Sequence, residues 1–258
     1  MTPAIPNRPD WRRHAARLDA LREARYNVDL DQRESFTAET GWNLDRYDAD
    51  LPPEPPGPPL PPDDPRAAFH VAWGLVRKYE FPDPRLIVGI YSPDDPLPGR
   101  PMLLRARFLG FTFWFGVRIG REIDEVRETP VGRLHVRGMD YATLEGHFER
   151  GQITFEVRKA EATGAVTFHI DAVSRTDRIR NPFYRLGFWI FGRRLQRRFA
   201  RTAIERMQRF TAETLRSRAT GAPPPAHETV EEETMPPEAE RAVEASAASA
   251  VTPPPPAT

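Results

Sequence analysis

The sequence has no cysteine, which excludes disulfides and thiolate metal sites and suits a reducing compartment. It also lacks a long hydrophobic run. The most apolar stretch, Phe183 to Phe191, is short and contains Arg185, whereas a membrane-spanning helix needs roughly 20 apolar residues. Met1 to Asp10 is Pro-rich and polar, without the apolar centre of a secretory signal. Hydrophobic residues make up only 39% of the chain, and prolines number 29. That balance predicts one domain with unstructured flanks rather than two domains. The expectation is a soluble, cytoplasmic protein.

Net charge is also zero, but by cancellation. Asp29 to Arg66 holds ten acids against Arg33, Arg46 and Arg66, and Arg178 to Arg218 holds twelve arginines against Glu205 and Glu213. Blocks of one sign face a partner of the other sign, inside the molecule or outside it.

The hydrophobic period divides the chain. Trp11, Ala15, Leu18 and Leu21 recur at helical spacing, so residues 1–25 read as an arm with a short helix. Residues 26–64 read as an acidic irregular segment anchored by Tyr26, Phe36, Trp42 and Tyr47, followed by a Pro-rich linker. Nine prolines between Pro52 and Pro65 predict an extended, semi-rigid spacer. Ala68, Val71, Ala72, Leu75 and Val76 then form a helical stripe, which Phe81-Pro82-Asp83-Pro84 ends.

From Arg85 the period becomes two. Strands are predicted over Arg85 to Tyr91, Met102 to Phe108, Phe111 to Ile119, Ile123 to Arg127, Val131 to Met139, Gln152 to Lys159 and Val166 to Ile170. The short link at Glu161 to Gly164 makes the last two an antiparallel hairpin, with His169 near Glu156. After Asn181-Pro182, Leu186, Ile190, Leu195, Phe199, Ala203, Met207 and Phe210 return to helical spacing as far as about Arg218. Ala219 to Thr258 has nine prolines, seven glutamates and no aromatic residue, a composition that predicts disorder. Residues 65–218 are thus an α+β domain. A short helix precedes a curved antiparallel β-sheet, and only the long C-terminal α-helix can cover the sheet's apolar face.

The run Gly138-x-x-Tyr141-x-Thr143-Leu144-x-Gly146-His147-x-Glu149-x-Gly151, followed by Phe155-x-Val157, resembles the signature of the domain-of-unknown-function family nineteen-ninety. Gly164-Ala165-Val166-Thr167-Phe168-x-Ile170-x-Ala172-x-Ser174-Arg175 is similar to that family's next strand, and Trp73 also fits. The sequence departs from the pattern at Glu145, where the family carries Pro, and at Gln152 and Ile153, where it carries acids. The resemblance implies the START-like, helix-grip fold: a sheet wrapped around a long C-terminal helix with a cavity between. It implies no activity.

Three sets of residues stand out as candidate sites. His147 and Glu149, two apart on a strand, share a face, and with Tyr141 they could serve acid–base catalysis at a cavity mouth. Trp73, Phe111, Phe113, Phe115, Phe155 and Phe168 could line a cavity for a small apolar ligand. Arg193, Arg194, Arg197, Arg198 and Arg201 crowd one side of the C-terminal helix near Phe188, Trp189 and Phe191. The acidic stretch could neutralise them, or they could meet an anionic membrane surface; no motif supports nucleic acid. His169-x-Asp171 repeats the His147-x-Glu149 spacing, but strand parity puts it on the solvated face, so no metal and no cofactor is expected. The leading expectation is binding of a small apolar or lipid-like ligand between sheet and helix. The alternatives are an enzyme using His147, Glu149 and Tyr141, and a peripheral membrane adaptor.

Overall fold

The computed structural model describes residues 9–108, 111–147, 149–176 and 182–223; side chains at 108, 111, 176, 182–193 and 195 are outside that description. The expected disorder of the C-terminal tail therefore falls almost wholly outside the described residues.

Among the described residues seven antiparallel strands form one curved sheet. They are β1 (Asn43–Leu51), β2 (Ile87–Ile90), β3 (Pro101–Phe108), β4 (Phe111–Thr129), β5 (Gly132–Thr143), β6 (Glu149–Ala160) and β7 (Val166–Thr176), in the order β1-β7-β6-β5-β4-β3-β2. Helix α1 (Ala15–Glu23) precedes the sheet, α2 (Ala68–Arg77) joins β1 to β2, and α3 (Pro182–Thr220) ends the fold. The architecture is the helix-grip kind. α2 lies over β5, β6 and β7, while α3 crosses β1, β7 and α2. Among the described residues no helix is long and apolar enough to cross a membrane.

The inner face of the sheet carries Met102, Leu104, Val117, Ile119, Met139, Phe155, Val157, Val166, Phe168 and Ile170. They pack with Phe69, Ala72, Val76, Ala203, Met207 and Phe210 of the helices. The outer face is covered in part by residues 11–42. Leu18 and Leu21 of α1 pack on Val88, Ile90, Leu103 and Trp114. Gly116 makes that docking possible, because a Cβ there would lie 2.2 Å from a Leu21 methyl. Further along, Val28 and Phe36 pack on Ala142 and Val173, with Trp42 stacked 3.9 Å from Phe36.

Two expectations need correction. Residues 43–51 are not irregular: they form edge strand β1, with Tyr47, Ala49 and Leu51 opposite Ile170, Phe168 and Val166. The period-two signal was present, but Asp45, Arg46, Asp48 and Asp50 around Tyr47 and Leu51 masked it; Arg46, Asp48 and Asp50 point outward, as an edge strand tolerates.

The Pro-rich stretch is not a free spacer. The Glu54 N–H donates to the Gly164 carbonyl (2.9 Å) and the Gly57 N–H to the Glu161 carbonyl (2.7 Å), which pins the stretch to the β6–β7 hairpin. Its clamp is Lys159, whose Nζ lies 3.1 Å from Glu54 Oε2, with both side chains fully buried. Polyproline backbone leaves its carbonyls without internal partners, and Pro55 and Pro58 present theirs to Lys159 Nζ at 3.0 Å each. Glu54 also accepts from the N–H of Phe69 in the first turn of α2 (2.8 Å) and from that of Leu60 (3.1 Å). A fully buried ion pair is tolerable only with such complete hydrogen bonding.

Candidate functional site

Helix α2 ends in a residue that ordinarily would be glycine. Tyr79 takes a left-handed conformation (φ 54°), and the next N–H, that of Glu80, closes the helix on the Leu75 carbonyl at 2.9 Å. A side chain in this conformation costs about 1–2 kcal/mol. The ring is held by what it reaches. It lies against Gly89, where a Cβ would come within 2.7 Å of it. Its rim meets Phe81 (5.4 Å) and Tyr141 (6.1 Å) edge-on.

The Tyr79 and Tyr141 hydroxyls are 3.3 Å apart and both residues are buried. Burial pushes the Tyr79 phenol well above its ordinary value. Burial likewise raises Tyr141, the Tyr79 hydrogen bond opposes this, and the negative charge of Glu149 adds to it, leaving Tyr141 at about 12. Both phenols therefore keep their protons and act as hydrogen-bond donors or acceptors. Around them Phe81 contacts Phe155 (4.8 Å) and Phe168 (5.3 Å), and the last two lie parallel at 6.4 Å.

From Tyr141 the chain leads into the signature stretch between β5 and β6. Its glycines have separate tasks. Gly146 turns the chain at φ 85°. Gly151 lets strands approach, since a Cβ there would sit 2.1 Å from the Val173 carbonyl. Gly138 likewise leaves room for the Phe155 carbonyl and the Glu156 side chain. Thr143 ties the turn: its hydroxyl accepts from the Gly151 N–H (2.9 Å) and donates to Asn27 Oδ1 (2.5 Å). Asn27 Nδ2 in turn donates to the Glu149 carbonyl (2.9 Å).

The three catalytic candidates lie along this inner rim. His147 is half-buried, its ring 4.4 Å from Phe115, and Nδ1 accepts the Glu149 N–H at 3.0 Å. The Glu149 carboxylate accepts from Gln196 Nε2 of α3 at 2.5 Å, and the same amide lies 3.2 Å from Ser174 Oγ. The stretch thus supplies a polar rim of Tyr141, His147 and Glu149 that α3 closes through Gln196.

Of the expected cavity residues, Phe155 and Phe168 are together on the inner face, and Phe115 stands at the His147 end. Phe113 is half-buried on β4. Trp73 is buried on α2 but turns its ring to the Arg137 guanidinium, 5.3 Å away. The side chain of Phe111 is outside the described set. Tyr79 and Phe81 belong to the aromatic group and were missed: in sequence they read only as the end of a helix and a Pro-flanked break.

On α3, Arg194, Arg197, Arg198 and Arg201 are exposed, while the side chain of Arg193, like those of Phe188, Trp189 and Phe191, is outside the described set. Among the described residues Arg201 pairs within the helix, with Glu205 at 4.0 Å. The acidic stretch is engaged elsewhere: Asp48 with His169 (2.8 Å), Glu54 with Lys159, and Asp64 with Arg66 (2.9 Å). His169 does lie opposite Glu156, but Glu156 is held by Arg127 and Asp171 by Arg33 and Arg46, so neither joins the histidine in a metal-like cluster.

The family model described as "Domain of unknown function (DUF1990)" matches residues 28–206. No protein of curated function matches the chain. Among solved structures, one titled "Crystal structure of Ara h 8.0201" aligns at 12% identity, covering 67% of this chain and 99% of that one, with a TM-score of 0.37.

Proposed function

The chain belongs to the family of unknown function DUF1990, and on that premise we propose that it binds, without transforming it, a small apolar or lipid-like molecule between the sheet and α3. The observation that carries this reading is the Tyr79–Tyr141 pair. Two hydroxyls bring two donor hydrogens, and the contact between them uses one. Among the described residues no acceptor is paired with the other. A buried donor without a partner costs roughly 1–3 kcal/mol, which a carbonyl or carboxylate end of a ligand would remove. The aromatic group of Phe81, Phe155 and Phe168 would take its apolar body, with Phe115 toward the rim.

Native and denaturing mass spectrometry of the purified protein tests this. A bound small molecule, or saturable uptake of the apolar dye anilinonaphthalene sulfonate that weakens in Tyr141→Phe, is expected. No bound mass and no saturable dye uptake would overturn the reading. Catalysis through His147, Glu149 and Tyr141 has less support, because Tyr141 holds its proton to about 12 and His147 Nδ1 is engaged by backbone.

A second reading, a peripheral contact with anionic membranes, is favoured by the exposure of Arg194, Arg197, Arg198 and Arg201 on one helix. Flotation with phosphatidylserine vesicles decides it. Binding that survives conversion of all four to glutamate would rule it out.

A further inference from the structure

The outer face of the sheet holds an open cavity of 640 Å³, beside the segment that covers Ala142 and Val173. It lies on the opposite side of the sheet from Tyr79 and Tyr141. Its floor is polar and buried: Asp140, Thr154, Glu156 and His169 are each less than a tenth exposed. Its walls are arginines, each anchored to a floor or wall carboxylate. Arg121 Nε donates to Asp140 Oδ2 (3.0 Å), Arg33 Nη2 to Asp171 Oδ2 (3.0 Å) and Arg46 Nε to Asp171 Oδ1 (3.2 Å). Arg127 grips both oxygens of Glu156 (2.7 and 3.1 Å), and Arg158 shares that carboxylate at 2.7 Å.

A β-bulge builds this arrangement. The β4–β5 register shifts between Ile119 and Glu122. Before the shift the odd residues Val117 and Ile119 face the inner core; after it Arg127, also odd, reaches Glu156 on the outer face. One inserted residue reverses the side-chain parity. The bulge also aims Arg121, whose N–H and Nε both bind Asp140. A Cβ at Gly120 would lie 2.4 Å from Asp140 Oδ1, so a side chain there would push that carboxylate aside.

We propose that this cavity binds a small organic molecule bearing two or more anionic groups, of the diphosphate or polycarboxylate kind. Arg46 and Arg121 each spend one Nε–H on a carboxylate, and their side chains are 75% and 66% exposed. Their outer N–H pairs are thereby oriented, which is the geometry that grips phosphate or carboxylate in a fork. The volume is in the range of small-molecule sites, and Gln152 and Thr154 add neutral hydrogen-bonding groups between the arginines. The five arginines are balanced by five carboxylates, Asp140, Glu156 and Asp171 in the lining and Glu125 and Asp48 beside it. The affinity therefore comes from oriented guanidinium donors rather than from excess charge.

Isothermal titration of the full chain with inorganic pyrophosphate, and separately with citrate, tests this. Saturable binding of at least one is expected, and preference between them assigns the anion as phosphate or carboxylate. In Arg46→Gln/Arg121→Gln affinity should fall at least tenfold in a protein that remains folded by circular dichroism, although loss of the Arg121 side chain leaves buried Asp140 with the N–H of residue 121 and lowers the unfolding midpoint. Arg197→Gln/Arg201→Gln on α3 should bind as the parent does. Absence of saturable binding of both anions, equal binding by the Arg46/Arg121 variant, or loss in the α3 variant alone would overturn the proposal. Tyr141→Phe should leave pyrophosphate binding intact, so the two proposed sites fail or stand separately.

Discussion

The Tyr79 hydroxyl, carried on a left-handed residue at the end of α2, meets the Tyr141 hydroxyl of β5 at 3.3 Å inside the core. This contact joins the helix layer to the signature stretch and places two protonated phenols among Phe81, Phe155 and Phe168.

The pair predicts alkaline sensitivity. Tyr141 is raised from 10.0 to about 12 in the folded state. A raised folded value means that its stabilisation is complete below pH 10 and is lost as pH climbs toward about 12. Two units correspond to roughly 3 kcal/mol. Tyrosinate absorbance should therefore rise in two phases, the later one coinciding with loss of circular dichroism. Tyr141→Phe should shrink the later phase; a single early phase in the parent would contradict the assignment.

Tyr79→Gly sets two effects against each other. Relief of the left-handed backbone gains about 1–2 kcal/mol, while loss of a buried aromatic ring costs about 3–5 kcal/mol. The ring should win, giving a net destabilisation of about 1–4 kcal/mol in urea denaturation. An unchanged or higher midpoint would mean that the ring contributes little.

Lys159→Ala leaves Glu54 charged and buried, which costs about 3–5 kcal/mol. Adding Glu54→Leu should recover only part, because the Phe69 and Leu60 N–H groups then lose their acceptor at about 1–3 kcal/mol. Denaturation of the single and double variants checks the order. Acetic anhydride should modify the exposed Lys78 and spare Lys159 in the folded protein, and the reverse pattern would refute the buried clamp.

Gly151→Ala drives a methyl group to 2.1 Å from the Val173 carbonyl. The backbone of β6 or β7 must shift, at about 1–3 kcal/mol. Thr143→Val removes the hydroxyl that serves Gly151 and Asn27 and should cost a similar amount. Thermal unfolding of both variants is the check, and a parent-like midpoint in Gly151→Ala would exclude the close strand approach.

The sheet, its flanking helices and the His169–Glu156 register were legible because period two and period 3.6 alternate cleanly from Ala68 onward. β1 was hidden by its outward acids, and the Pro-rich clamp depends on Lys159, whose partner lies about a hundred residues away in sequence. In the signature stretch the polar residues were readable, but not their setting. Tyr141 gains its meaning from Tyr79, and Glu149 from Gln196 on α3; neither pairing has a local signal. The outer-face arginines were equally hidden, since a single bulge at Gly120 decides which way Arg127 points.

The central claim is that the Tyr79–Tyr141 pair receives the polar end of an apolar ligand. It is tested most directly by NMR titration with decanoate isotope-labelled at its carboxyl carbon. The account predicts a saturable shift of that carbon, abolished in Tyr79→Phe/Tyr141→Phe and retained in Arg46→Gln/Arg121→Gln. A carboxyl signal that does not move on adding the folded parent protein, or that moves equally with the double phenylalanine variant, would contradict it.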